Sequence, residues 1–165
     1  MRKRRKVGAG QRSGRPSKEK KMRILVFEPR VNRHEKVRKA MTEYCFHELQ
    51  DAEFFFTSTY NSSWLGEYPK HGDFDVVIIT ETLMNNGDYR DFNRWGMVAA
   101  TEAGKKGIPC FVGLPEAGHA WLYHMLHYAS VHTFTRHEET YDIGFSAYNL
   151  CVLIMNVLAG IPVTS

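Results

Sequence analysis

The sequence predicts a five-stranded parallel doubly wound α/β sheet with helices on both faces. Three observations lead there. Apolar runs of strand length recur along the chain, among them MRILVF at Met22–Phe27, DVVIIT at Asp75–Thr80 and IPCFVG at Ile108–Gly113. Runs that are apolar at nearly every position suit strands buried on both faces. Segments of helical periodicity separate these runs, and such alternation builds a parallel sheet through right-handed crossovers. Composition agrees, because 43% hydrophobic and 24% charged residues in a chain of 165 exclude a collagen-like, disulfide-rich or wholly disordered protein.

Taken in order, Met22–Phe27 is the first strand. Asn32 followed by Glu35 makes a capping-box-like helix start. Val37, Ala40, Met41, Tyr44, Cys45 and Leu49 then recur at helical spacing, with Arg38, Lys39 and Glu43 on the other side. Ala52–Thr59 (AEFFFTST) reads as the second strand. Residues 60–72, which contain Asn61, Gly66, Pro69 and Gly72, leave room for at most a short helix. Asp75–Thr80 is the third strand. A helix over Asp91–Ala103 carries Phe92, Trp95, Ala99 and Ala103 on one face, with Gly104 and Gly107 at its end. Ile108–Gly113 is the fourth strand, Gly118–Tyr128 a helix, Val131–Thr135 the fifth strand and Tyr141–Ala159 a final helix. The expected strand order is 2-1-3-4-5, with Ile24, Leu25 and Val26 buried. Ligands of such sheets bind beyond the carboxyl ends of the strands, so the loops beginning at Glu28, Thr59, Thr80, Gly113 and Arg136 are the candidate site.

The charge is unevenly placed. Residues 1–21 hold ten Lys or Arg against Glu19, a charge of +9, which leaves 12 basic and 17 acidic residues, or −5, in the rest. So basic and apolar-poor a segment cannot offset its ordering entropy by burial. The expected organisation is a disordered basic arm over 1–21, an α/β domain over 22–160 and a tail over 161–165. Phosphate contact is the natural role for Arg2, Lys3, Arg4, Arg5, Lys6, Arg12 and Arg15, with a solubilising tail or a nuclear-import signal as the alternatives. Gly14-Arg15-Pro16 is similar to the core of AT-hook arms, without the flanking Arg-Pro. No aromatic residue interleaves the charges, so the arm does not stack on bases.

Cys45, Cys110 and Cys151 are odd in number and far apart in apolar stretches. They read as reduced core thiols of a cytoplasmic protein, nuclear in a eukaryotic host. No apolar run follows the basic N-terminal residues as a secretory signal requires. Ile143–Ser165 lacks charge, but Gly144, Ser146, Asn149 and Asn156 interrupt it and Pro162 follows Gly160. That pattern fits a buried last helix instead of a membrane anchor. His124 and His127 share a helical spacing without a carboxylate or cysteine to complete a metal site, so no metal is expected.

The segments MRILVFEPRVNRHEKVRKAM, FDVVIIT, GIPCFVG and VHTFTR resemble, in order and length, the elements of a response-regulator receiver domain over residues 22–160. The resemblance implies a flavodoxin-like sheet, and it implies a site that has lost its chemistry. A receiver accepts a phosphoryl group on an aspartate after strand three, where this chain has Thr80. It holds magnesium with two acidic residues after strand one, where only Glu28 remains, beside Pro29, which has no side-chain oxygen for a hard cation. Gly113 and Leu114 stand near the usual Ser or Thr, and Arg136 matches the lysine of strand five with a different geometry. The resemblance thus implies a degenerate receiver.

The same strand ends admit a second reading. The loop ETLMNNGDY over 81–89 leads into a helix N-terminus that favours anions, Gly87 allows close backbone approach, and Asn85, Asn86 and Asp88 suit a ribose or base. It is similar to loops of nucleotide-binding Rossmann-like proteins and of nucleoside deoxyribosyltransferases, in which Glu28 or Glu81 would be the catalytic carboxylate. A strand-cleaving site of the topoisomerase-primase type needs paired aspartates after strand three, and Glu81 stands alone. The leading expectation is a non-enzymatic regulatory or interaction protein, without cofactor or membrane contact, that binds nucleic acid through its arm and a protein partner through its body. Its candidate ligand-binding residues are Glu28, Thr80, Glu81, Asn86, Gly87, Asp88 and Arg136. The alternative is a nucleotide-using enzyme at the same edge.

Overall fold

The computed structural model describes residues 21–44, 49, 51–58, 74–80, 90–114, 128–137 and 141–160. The expected arm up to residue 20, the segment 60–72, residues 118–127 of the helix expected over Gly118–Tyr128 and the tail 161–165 lie outside the described residues, and Tyr128 itself is in a bend.

Five strands, β1 (Arg23–Phe27), β2 (Glu53–Thr57), β3 (Val76–Ile79), β4 (Cys110–Leu114) and β5 (Val131–Thr135), form one all-parallel sheet in the order β2-β1-β3-β4-β5. This is the expected order, compatible with a flavodoxin-like fold. The first strand is central: Leu25 is in register with Phe55 on one side and Val77 on the other. Its side chains therefore meet protein on both faces, which explains a run without polar alternation. Ile24, Leu25 and Val26 are fully buried.

Helices α1 (His34–Tyr44), α2 (Arg90–Lys106) and α3 (Ala147–Leu158) cover both faces. Period-two alternation along the strands divides the core accordingly. Ile24, Val26, Val76, Ile78 and Phe111 pack with Val37 and Met41 of α1 and with Leu150, Cys151 and Ile154 of α3. Leu25, Phe27, Val77, Ile79 and Val112 face the other way onto Ala99, Ala100 and Ala103 of α2, whose small side chains let the helix sit close to the sheet. Each fully buried Ile, Leu or Phe contributes roughly 1.5–3 kcal/mol. Among the described residues no helix is long and apolar enough to cross a membrane.

At the amino edge Arg23 links three elements. Its N–H donates to Asp75 Oδ2 at 2.9 Å, Asp75 N–H returns a bond to Arg23 O at 2.8 Å, and its guanidinium lies over the Phe55 and Phe74 rings at 4.8 and 5.2 Å.

Several local expectations are corrected. Asn32 does not cap α1, which is entered through a 3-10 turn at Val31–Arg33 that begins from Arg30, and the Glu35 carboxylate pairs with Arg38. Strand β2 is shorter at both ends than the apolar run suggested. Helix α2 continues through Gly104 to Lys106 and stops at Gly107, whose φ of 72° an L side chain rarely adopts. The last helix begins at Ala147 rather than Tyr141. Phe145 instead makes an isolated antiparallel bridge with Arg136, and Ser146 caps α3 by accepting the Asn149 N–H at 3.1 Å. The residue that read as an interruption is the helix start.

The cysteines also differ from expectation. Cys110 is buried and free, as expected, whereas the buried Cys151 is disulfide-bonded. Apolar surroundings are common to both. What separates them is that Cys151 sits on the α3 surface packed against α1, a contact that no sequence spacing announces. Cys45 lies outside the described residues.

Candidate functional site

The carboxyl edge is assembled by carrying the sheet pairing one residue past each strand. Phe27 is in register with Ile79, and Ile79 with Val112, so Glu28, Thr80 and Gly113 fall side by side. Backbone bonds hold them there: Glu28 N–H donates to Thr57 O and Thr80 N–H to Phe27 O, both at 3.0 Å. Alternation turns all three positions to the face shared with Ile24, Val26, Ile78 and Phe111, the face covered by α1 and α3. Arg136 continues β5 on the same edge, its N–H donating to Leu114 O at 2.8 Å.

Glu28 and Thr80, each 1% exposed, are directly bonded. The Thr80 hydroxyl lies 3.0 Å from both Glu28 Oε1 and Phe27 O and donates toward them. Glu28 Oε2 accepts the Arg30 N–H at 2.8 Å, and Arg33 Nε stands 4.0 Å from Oε1. His34 Nε2 donates to the Glu28 carbonyl at 3.0 Å, which fixes Nε2 as the protonated nitrogen because a carbonyl only accepts. A buried carboxylate is costly unless paired and hydrogen-bonded. Glu28 meets that demand from the turn that follows it, and its charge in turn favours the helix entry at Arg30–His34.

Gly113 closes the edge on the next strand. A Cβ built there would lie 2.3 Å from Thr80 O and 3.1 Å from the Phe134 ring, so β3 and β4 approach as only glycine allows. The position near which the receiver pattern has Ser or Thr is occupied by backbone contact. Arg136 is 7% exposed, and its backbone bridge to Phe145 sets the entry of α3.

Of the candidate ligand-binding residues, the fold therefore brings Glu28 and Thr80 into contact and places Arg136 on the same edge, two strands beyond Thr80. Glu81, Asn86, Gly87 and Asp88 lie outside the described residues, as do Arg2, Lys3, Arg4, Arg5, Lys6, Arg12 and Arg15. Arg30, Arg33 and His34 are the residues that sequence reasoning did not place in the site. The signal for them was their position in the loop just after a strand-end acid, the usual place for groups that serve that acid. A cleft of about 500 Å³ opens elsewhere, between Lys36, Ala40 and Glu43 of α1 and Asp142, Phe145 and Ala147, and neither Glu28, Thr80, Gly113 nor Arg136 lines it. Among the described residues no group of three or more His, Cys, Asp or Glu is placed to hold a metal ion.

The fold and edge define an α/β domain of the parallel, doubly wound type with an internally bonded strand-end carboxylate. No family model matches the chain, and no curated protein matches it in sequence.

Proposed function

We propose that this chain is a non-enzymatic regulatory or interaction protein: a receiver-like domain that does not take up a phosphoryl group, with a basic N-terminal arm that contacts nucleic-acid phosphates. The observation that supports the first half is the state of Glu28. Both carboxylate oxygens are engaged within the chain, by the Thr80 hydroxyl, the Arg30 N–H and the nearby Arg33 guanidinium. A hard divalent cation needs several oxygen ligands. Here it would have to displace these partners, and it would find a neutral hydroxyl at Thr80 and no side-chain oxygen at Pro29. The same engagement speaks against Glu28 as the nucleophile of a nucleoside-transforming enzyme, since a carboxylate held by donors on both oxygens is a poor attacking group. The arm's part rests on its +9 charge against −5 for the body, which directs phosphate to the arm.

Two measurements test the reading. Incubation with acetyl phosphate and magnesium, followed by intact-mass analysis, is expected to leave the protein unmodified; a phosphoryl adduct on Glu28 or Glu81 would refute it. Binding to duplex DNA is expected to fall with a slope of log affinity against log salt near −4, for roughly five neutralised phosphates, and to disappear when residues 1–21 are removed. Undiminished affinity after that truncation would refute the arm's role and move the contact to the body. A nucleotide panel that raises the melting temperature would favour the enzyme instead.

A further inference from the structure

Strand β2 is one border of the sheet and pairs with β1 alone. The ladder fixes which of its backbone groups that pairing uses. Glu53 N–H donates to Met22 O at 2.8 Å and Thr57 O accepts the Glu28 N–H at 3.0 Å, so Glu53, Phe55 and Thr57 turn their N–H and C=O groups toward β1, and Phe54 and Phe56 turn theirs away from it. Among the described residues nothing bonds to those four outward groups. Solvent reaches this border, for Glu53 is exposed and Phe54–Thr57 are half-buried. The opposite border is managed differently. There β5 presents the exposed, polar Thr133 and Thr135, and past its end the chain folds back along it, with His137 N–H donating to Gly144 O at 2.7 Å beside the Arg136–Phe145 bridge. Strand β2 carries no lysine, proline or bulge, the usual devices against edge pairing.

We infer that β2 is a self-association surface, on which a second copy of this chain pairs antiparallel about a two-fold axis at Phe55 and joins two five-stranded sheets into one. The register follows from the outward groups. Centred on Phe55, Phe54 stands opposite Phe56 of the second copy and exchanges both N–H···O bonds with it, and Phe56 does the same with Phe54 of the second copy, so all four outward groups are satisfied. The side chains suit the same strand as occupant. Phe54 and Phe56 lie on the face covered by α1 and α3 and are already stacked, with ring centroids 6.3 Å apart, and the pairing extends that row with the same two rings of the second copy. Phe55, on the other face, meets its own counterpart. The one charge, Glu53, falls opposite Thr57, so no like charges oppose each other. A strand of this length offers an edge of about 17 Å, a small contact beside the roughly 800 Å² per partner of a standard interface. The pairing is therefore reversible, with a dissociation constant of roughly 10–100 µM.

The test uses the full chain, free of nucleic acid. Sedimentation equilibrium across about 5–500 µM is expected to show a reversible monomer–dimer equilibrium and no larger species, since a two-fold contact closes on itself. Amide hydrogen exchange locates the contact. Where about nine-tenths of the chains are paired, the Phe54 and Phe56 amides should exchange about tenfold more slowly than in dilute protein, while the Phe55 amide, bonded to β1 in both states, stays unchanged. Phe54→Lys puts a cation opposite Phe56 of the second copy, over whose ring Arg38 already lies at 4.7 Å, and should weaken association about tenfold or more. The exchange measurement on the parent protein stands even if that variant fails to fold. A monomer at every concentration, a dimer that leaves the Phe54 and Phe56 amides unchanged, slow exchange of both amides in the monomer, a folded Phe54→Lys that dimerises as well as the parent, or open-ended polymers in place of a dimer would each overturn the inference.

Discussion

Replacing Thr80 by valine removes one hydroxyl from the centre of the candidate site and leaves its volume almost unchanged. That hydroxyl is 3.0 Å from Glu28 Oε1 and from Phe27 O, and both Glu28 and Thr80 are 1% exposed. A hydrogen bond to a charged acceptor contributes about 1.5–3 kcal/mol. Glu28 retains the Arg30 N–H and the nearby Arg33, which holds the expected loss to the lower part of that range, about 2 kcal/mol. For a domain of this size the melting temperature should then fall by roughly 4–8 °C, and with a urea m-value of about 2 kcal/mol/M the midpoint should drop by about 1 M. Equilibrium urea unfolding followed by circular dichroism measures it, and a double-mutant cycle with Glu28→Gln isolates the pair, with an expected coupling of about 1–2 kcal/mol. Thr80→Val indistinguishable from the parent, or additive with Glu28→Gln, would show that the carboxylate is satisfied without Thr80 and that the hydroxyl does not hold this edge.

Four further outcomes follow from the packing. Gly113→Ala forces a Cβ to 2.3 Å from the Thr80 carbonyl oxygen, a backbone atom within the sheet. It should cost about 3 kcal/mol or more, read as a fall of roughly 10 °C in melting temperature or a loss of soluble protein. Gly160→Ala, where φ is 74° and an added Cβ would meet no atom of the described residues within 4 Å, should cost only about 1 kcal/mol. Desolvation lowers the pKa of His132, which stacks on Phe111 at 5.5 Å. The native state therefore binds fewer protons than the unfolded state, so this contribution to stability is present above the unfolded value of about 6.5 and is lost as pH falls through the folded one. His132→Gln should flatten the stability profile between about pH 7 and 5, and an unchanged slope in urea titrations would contradict this. Burial pushes the Cys110 thiol far above its ordinary pKa. It should resist iodoacetamide in native protein at neutral pH and react on unfolding, and prompt native labelling at Cys110 would show that strand β4 opens.

The carboxyl edge was legible in part. Glu28 and Thr80 are both recognisable as the first polar residues after an apolar strand, and strand alternation puts them on one face. Their direct bond required the register Phe27 with Ile79, which no sequence pattern states. Arg33 and His34 reach Glu28 because Val31–Arg33 winds as a 3-10 turn, and the capping-box spacing of Asn32 and Glu35 pointed to a different helix entry. Glu35 was drawn instead to Arg38, one turn along. At the other end, Tyr141–Ala159 read as one helix, because apolar content does not distinguish a helix from a buried turn. Gly144, with φ of 82°, and the Arg136–Phe145 bridge decide where α3 begins.

Local amino-acid pattern suffices to specify the strands, their parallel arrangement and the faces they bury. Continuous apolar runs admit only a two-sided burial, helix-length spacers admit only crossover connections, and the same local patterns mark Glu28 and Thr80 as strand-end polar residues. Tertiary structure alone decided what those residues touch. Whether Glu28 is bare or bonded on both oxygens, whether Gly113 is a turn residue or a close contact with Thr80, and whether Cys151 is a thiol or half of a disulfide all depend on pairs far apart in the chain. Such pairs meet only when sheet register and helix packing are fixed together, and local spacing carries no record of them.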